Sequence, residues 1–516
     1  MKRAGARPAP SGLTFRRRQL SQLSQLSQLA LALSLAAVWG SAAQAQGLRL
    51  TPSFSVSQVL TDNRNLSASD AQAESITVLS PGFRLSRNSP QLQALVDYSL
   101  NASIYGRGSS ANSIANALTA TANAVLIEQH LFLASSASIS QQSISALALQ
   151  GNRPNNINAN NTELRTFTLA PSLRGRLFGE VAFDASLTSS ISSSANAEAG
   201  DAINNNAALR VGDSSRVLGW SFDASRSIAD FAAGRRTTQD RLGFTLTYSP
   251  LPALRFLARA GQERSNLEAT DARSSNSWGA GVTWQPTPRT QLNLQADRRF
   301  FGDGYSVTAS HRLRRAVFVY TASRNTTETT SGAGLTLSVY DLFFAQFAST
   351  EPDPVLRDIL VRNFLAASGL NPLDRLTGGF LSTAVSLQRL QNLSMSWQGT
   401  RMTAVVSAFA SSTERLDGVS QGQDDLSRAG VLRQSGLNVS MSRRISPRSS
   451  LVFSMSHQRT AGGDTVRGNT VNEGSLSWSG RVTPKISLNA TARHAQAKGA
   501  NPYQENSLRA AINLSF

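Results

Sequence analysis

Apolar residues in this chain recur at every second position, segment after segment. Nowhere after residue 46 do they run on long enough to make a membrane-spanning helix. A period of two is the signature of a β-strand with one apolar and one polar face. In "LQALVDYSLNASIY" (92–105), Leu92, Ala94, Val96, Tyr98, Leu100, Ala102 and Ile104 share one face, and Asp97, Ser99, Asn101 and Ser103 take the other. "EVAFDASL" (180–187), "RVLGWSFDASR" (216–226), "RLGFTLTYS" (241–249), "NSWGAGVTWQ" (276–285) and "SLSWSGRV" (475–482) repeat the scheme. Each such segment runs about eight to twelve residues, the length a tilted strand needs to cross a bilayer.

The connections alternate too. Short ones are built on proline, which presets a turn dihedral and cannot donate to a ladder: "SPLPAL" (249–254), "QPTPRTQ" (285–291), "ISPRSS" (445–450) and "VTPKIS" (482–487). "RLFGE" (176–180) and "RLRRA" (312–316) occupy equivalent places. Between them lie long polar connections such as 262–277, 410–430 and 457–474. Short turn, long loop, short turn is the asymmetry of an outer-membrane barrel, with turns in the periplasm and loops outside. A β-solenoid would need a fixed repeat period, and none is present. The expected fold is therefore a closed antiparallel transmembrane β-barrel of about 22 strands, or about 24 if one ambiguous region adds a pair. On this reading Leu218, Trp220, Phe222 and Ala224 face lipid, and Ser221, Asp223 and Ser225 face the lumen.

Both ends of the chain fit export. Lys2, Arg3, Arg7, Arg16, Arg17 and Arg18 precede "LALALSLAAVWG" (29–40) and the small-residue stretch "SAAQAQ" (41–46). That order predicts a secretory signal over 1–45, cleaved after Ala45, and a barrel over 46–516. At the other end, Leu508, Ala510, Ile512, Leu514 and Phe516 form an apolar row, expected to meet outer-membrane lipid and to act as the signal read by the barrel assembly machinery. The chain has no cysteine, which excludes disulfides and a lipid-modified cysteine anchor. Its formal charge of +18 falls to +12 without the six N-terminal cations, and the arginines are scattered rather than clustered. No nucleic-acid partner is expected.

One region breaks the alternation. In "EPDPVLRDILVRNFLAASGLNP" (351–372), Asp353 is placed as an N-cap, Pro354 as the first helical residue and Gly369 as the stop. Leu356, Ile359, Leu360, Phe364 and Ala367 form an apolar stripe. A helical insertion is expected over about 341–372, serving as a packed structural element, a plug or a docking element. Its side of the membrane depends on parity. If "GAGLTLSVY" (332–340) is a strand and "QRLQN" (388–392) a tight outer turn, there are about 24 strands and the helix is periplasmic. Without them there are about 22, and the helix belongs to an external or inward-folded loop. Leu335, Leu337 and Val339, with the polar break at Gln388, Arg389, Gln391 and Asn392, favour the periplasmic arrangement.

The chain resembles the outer-membrane proteins associated with the PEP-CTERM/exosortase protein-sorting system. "TDNRNL" (61–66), "LSPGFRL" (79–85) and "DYSLNASIY" (97–105) carry the resemblance. So do "DLFFAQFASTEPDPVLRDILVRNFLAASGL" (341–370) and "GFLSTAVSLQRLQNLSMSWQGTRMT" (379–403). It covers essentially the whole mature chain, and the helix block is its most specific part. The resemblance implies a location in the outer membrane of a Gram-negative bacterium that makes exopolysaccharide, and it implies no catalytic residue.

The residues themselves nominate no catalytic, cofactor-binding or metal-binding site. His130, His311, His457 and His494 are far apart, with no neighbour at metal-ligand spacing. "GVSQG" (418–422) matches a nucleophile-elbow pattern by letter but lies in a polar loop without the strand-to-helix turn that motif needs. "FFGDGY" (300–305) reads as a strand end with a tight turn. No enzyme is expected. Two functions stand: a pore or export conduit for a polar polymer such as exopolysaccharide, or a non-conducting barrel that holds sorted surface proteins.

Overall fold

The computed structural model describes residues 47–107, 112–149, 160–195, 200–213, 217–327, 340, 343, 344, 347, 351, 353–368, 380–416, 424–463 and 466–516. The chain divides into two compact units, Met1–Leu48 and Arg49–Phe516, and the architecture described below is that of the second. The whole of the expected signal segment lies outside the described residues, as do "GAGLTLSVY" short of Tyr340 and all of "GVSQG".

The first strands are β1 (Leu48–Thr61), β2 (Glu74–Asn88), β3 (Leu92–Tyr105), β4 (Ser113–Ile127), β5 (Leu131–Ser143) and β6 (Asn161–Leu177). Next come β7 (Val181–Ser194), β8 (Ala202–Asp213), β9 (Leu218–Phe231), β10 (Arg236–Leu251) and β11 (Leu254–Ser265). Then follow β12 (Arg273–Thr287), β13 (Thr290–Arg299), β14 (Gly302–Arg312), β15 (Ala316–Thr327) and helix α1 (Pro354–Ser368). After the helix run β16 (Ser386–Gln398), β17 (Met402–Arg415), helix α2 (Asp425–Ala429) and β18 (Val431–Ser446). The chain finishes with β19 (Ser449–Gly462), β20 (Asn469–Thr483), β21 (Ile486–Gly499) and β22 (Tyr503–Ser515).

Each strand pairs antiparallel with its sequence neighbours, and β1 pairs with β22, giving one closed 22-stranded sheet. Closure removes the unpaired edges that an open sheet would present. At the seam Phe54, Val56 and Leu60 lie opposite Leu514, Ile512 and Leu508, and the Phe516 amide donates to the Pro52 carbonyl at 3.0 Å.

Register shows why lipid is required. On the outer face of β9 and β10, Leu218 lies opposite Tyr248, Trp220 opposite Leu246, and Phe222 opposite Phe244. All six side chains are exposed, whereas Ser221 and Thr245 on the other face are buried. The same outward rows continue through Phe256, Trp278, Phe318, Leu393, Phe453 and Trp478. An apolar band encircling the whole molecule exceeds anything a soluble monomer exposes, and it matches the lipid belt of an outer-membrane barrel. The expected assignment of faces for 218–225 therefore holds.

The proline segments turn where expected: β10 hands over to β11 after Leu251, β12 to β13 after Thr287, β18 to β19 after Ser446, and β20 to β21 after Thr483. "RLFGE" turns through Phe178 and Gly179, both at positive φ. "FFGDGY" is a tight hairpin with Gly302 at φ +90°. The strands, however, run from 10 to 17 residues, longer than the alternation suggested. Polar stretches assigned to long loops, such as those after Glu263 and His457, continue the ladder beyond the apolar band. Outside lipid a strand can carry polar residues on both faces, so the alternation fades before the strand ends.

The count of 22 corrects the expected position of the helix. "QRLQN" is not a turn: Gln388–Asn392 lies inside β16, paired with β15 and β17. α1 therefore belongs to the connection from β15 to β16, which leaves the end of the barrel opposite the short turns, and it is not periplasmic.

Candidate functional site: an inward-folded segment and a laced mouth

The lumen wall is polar because every second residue of each strand points inward, and those residues are mostly Ser, Thr, Asn and Gln. Deep in the lumen several inward charges are matched by opposite ones. Glu263, only 1% exposed, holds Arg299 at 2.9 Å and Arg241 at 2.9 Å. Arg493 bridges Glu473 at 2.7 Å and Glu505 at 2.6 Å, and Thr61 Oγ1 donates to Glu505 at 2.7 Å. Buried carboxylates of this kind persist only when paired and hydrogen-bonded.

β17 departs from that rule. Its inward row includes Val405 and Phe409, both buried. Val405 is covered by α1: Val361, Leu365 and Phe343 bury themselves against it, and Tyr340, Phe344, Phe347 and Phe364 pack around them. The aromatic rings interlock, with Phe343 and Phe364 centroids 4.8 Å apart and Phe347 and Phe364 5.4 Å apart. Because Val405 faces the lumen, the helix sits inside the barrel.

The helix starts where the sequence placed it. The Asp353 carboxylate accepts from the Leu356 amide at 3.2 Å, and Pro354 opens the helix. Gly369 lies outside the described residues. The expected stripe is only partly the buried face. Phe364 packs in the cluster, but Leu356 is 47% exposed and Ile359 50%, and Leu360 is half-buried. The contact face is instead Asp358, Val361, Arg362 and Leu365. Apolar residues lie on several sides of this helix, so the partner decides which side is covered, and the partner supplies both Val405 and a carboxylate.

That carboxylate is Asp97, on the inward row of β3. Arg362 Nη1 donates to Asp97 Oδ2 at 2.9 Å, and its Nε donates to Asp358 Oδ1 at 2.8 Å. Tyr340 also donates to Asp358, and the Arg362 guanidinium lies 4.9 Å from the Tyr340 ring centroid. Asp97 is shared with Arg84 of β2 at 2.8 Å. A chain of charge-assisted bonds thus ties α1 to the barrel wall.

A second construction ties segments together at the same end. Asp424 and Asp425 are adjacent, and each grips a different distant segment. Asp425 accepts from Ser145 Oγ at 2.8 Å and from the Ala146 amide at 2.6 Å. Asp424 caps α2, accepting from the Ser427 amide at 2.9 Å, and accepts from the Thr383 amide at 3.1 Å and from Ser382 Oγ. Beneath them Ala146, Phe380, Ala384, Leu426 and Leu432 form a small core. Asn469 Nδ2 and Asn501 Nδ2 both donate to the Leu147 carbonyl, at 2.8 and 3.1 Å. Segments that follow β5, precede β16 and follow β17 are thereby laced across strands that are not neighbours in the sheet. Burial pushes the Asp424 carboxyl up, but the hydrogen bonds from Ser382, Ser427 and Thr383 outweigh it and hold its pKa below the usual carboxylate range.

The apolar row near the chain end sits as expected on the outer face of β22. Leu508, Ala510, Ile512 and Phe516 are exposed and Leu514 is half-buried, with Glu505, Ser507 and Ala511 turned inward. The histidines do not converge: His457 and His494 pair with Asn472 and Asn506, and His311 lies beside Thr290. The lacing by Asp424 and Asp425 left no mark in the sequence, since Ser145 lies 280 residues from Asp425 and Ser382 lies 42 residues from Asp424.

No protein-family model and no curated protein matches the chain. Solved structures similar to it are outer-membrane barrels. The FrpB iron transporter of Neisseria meningitidis (F5-1 variant, apoprotein form) aligns with a TM-score of 0.47 and 11% identity, covering 92% of this chain and 82% of that one. The siderophore receptor PirA from Pseudomonas aeruginosa gives 0.44 and 9%, covering 91% and 80%. OpdK of Pseudomonas aeruginosa with vanillate gives 0.33 and 8%, covering 90% and 99%.

Proposed function

We propose that this protein is an outer-membrane conduit for a polar polymer, kept closed at rest by its own β15–β16 segment. It would serve the PEP-CTERM/exosortase and exopolysaccharide setting that its sequence resembles. The observation that carries the proposal is how α1 is held. A 22-stranded barrel encloses a lumen wide enough to need a plug, and among the described residues the plug is held by a small aromatic patch and by the ionic tether of Arg362 to Asp97. A permanent filler would bury a continuous apolar face. The hydroxyl- and amide-lined wall around it suits a hydrated, hydroxyl-rich polymer.

A second reading has its own support. Leu356 and Ile359 are exposed, and a sorted surface protein docking on them would need no open lumen. Conductance across planar bilayers separates the two. Residues 340–368 are replaced by a glycine–serine linker of equal length, and heat-modifiable gel mobility verifies folding. The conduit reading expects a mostly silent native barrel and a steadily conducting variant. A folded variant that stays silent would overturn it in favour of docking.

A further inference from the structure

The end of the barrel that carries the short turns holds a repeated dipeptide. Arg49–Leu50, Arg176–Leu177, Arg255–Phe256, Arg312–Leu313, Arg444–Ile445 and Arg481–Val482 each lie at that end of a strand or at its turn. Every apolar member is an exposed residue of the lipid-facing row. Alternation then turns every arginine to the lumen. Register agrees: Arg255 lies opposite Thr283, Arg444 opposite Ser450 and Arg481 opposite Ser487, all on the inward face.

These arginines differ from those higher in the lumen. Arg241, Arg299, Arg493, Arg210 and Arg259 each meet a carboxylate. Among the described residues Arg176, Arg255, Arg444 and Arg481 meet none, and all four are exposed. The turns at this end add Arg289, Arg314, Arg315, Arg401, Arg448 and Lys485, against Glu128 and Glu180. Cations set around a ring in such excess over carboxylates focus a field that draws anions to the opening.

We infer that this collar is a binding site for a carboxylated polysaccharide, captured at the short-turn mouth of the barrel. The inference rests on the conduit reading and supplies its substrate class. Strands lie about 4.8 Å apart along the hydrogen bonds, so arginines on β6, β11, β18 and β20 are too widely spaced for one small anion to bridge. A chain bearing a carboxylate on each sugar reaches them all. Inward orientation separates the collar from bilayer headgroups, which only outward cations such as Arg87 and Arg443 address. Of the aromatics near this end, Phe256, Trp284 and Trp478 point outward, and Phe132 faces inward with Arg174 5.2 Å from its ring centroid, a single ring where a run of stacked bases would need several.

The test is equilibrium binding of polygalacturonate oligomers to the detergent-solubilised mature barrel. Neutral dextran and single-stranded DNA of matched length serve as comparisons. Polygalacturonate is expected to bind most tightly, to weaken steeply with salt, and to lose at least tenfold in the combined variant Arg176→Gln, Arg255→Gln, Arg444→Gln, Arg481→Gln. The outward pair Arg87→Gln, Arg443→Gln should bind like the native protein. All four collar residues are exposed, and the heat-modifiable mobility of each variant verifies its fold. Native-like binding by the collar variant overturns the site. Loss confined to the outward pair assigns the cations to headgroups instead, and DNA binding as tight as polygalacturonate overturns the polysaccharide assignment. A silent linker variant in bilayers, beside intact collar binding, removes the conduit reading and leaves the site standing.

Discussion

Replacing Arg362 by alanine should loosen the plug without disturbing the barrel. The change removes the bond to Asp97 at 2.9 Å, the bond to Asp358 at 2.8 Å and the contact with the Tyr340 ring at 4.9 Å. Only the first joins the segment to the wall. Asp97 keeps Arg84 at 2.8 Å, so no wall charge is orphaned, and its side chain is 33% exposed, so water screens the pair. A hydrogen bond to a charged group is worth about 1.5–3 kcal/mol net. Screening brings the tether to about 1–2 kcal/mol. At about 1.4 kcal/mol per tenfold change, the open fraction should rise about five- to thirtyfold. Single-channel recording measures that fraction directly. Asp97→Asn should produce a similar rise, and the double variant should add little to either single change, because both remove the same bond. An unchanged open fraction in Arg362→Ala, or full additivity in the double variant, refutes the tether.

Three further outcomes follow from the same geometry. Phe222→Arg places a charge in the lipid belt at about 2–4 kcal/mol, whereas Ser221→Arg faces the lumen beside Asp223; membrane-inserted protein should fall sharply for the first and little for the second. Phe516→Ala should lower the inserted fraction and raise periplasmic degradation if the outward row of β22 is the assembly signal, and unchanged levels with an unchanged heat shift would reject that role. The lowered pKa of Asp424 means its contribution to the laced mouth is complete above the ordinary carboxylate range and is lost as pH falls through its own lower value. Acidification below about pH 4 should therefore raise protease sensitivity around Ser382 and Ser427, and Asp424→Asn should show that sensitivity already at neutral pH.

The barrel was legible because its two signals are local. Strand periodicity needs only consecutive residues, and the proline turns need only a few more. Parity near the helix failed for a physical reason. Gln388 and Asn392 face the lumen, while Arg389 and Gln391 are exposed on the outer face, and a strand that rises beyond lipid tolerates both. Polar residues there indicated a rim and not a break. The helix was recognisable from Asp353 and Pro354, but its buried face was not, since Val361 and Leu365 are chosen by Val405 and Arg362 by Asp97. Contacts made between distant strands leave no period to read.

The account turns on α1 lying inside the lumen against β17. The chain has no native cysteine, so Val361→Cys with Val405→Cys can be bridged by a short, reducible bis-thiol reagent in native membranes. Efficient cross-linking that silences any residual conductance, with conductance restored on reduction, is the predicted result. Failure to cross-link, in a preparation where the outward cross-strand pair Phe222→Cys with Phe244→Cys links readily, would place the helix elsewhere and contradict it.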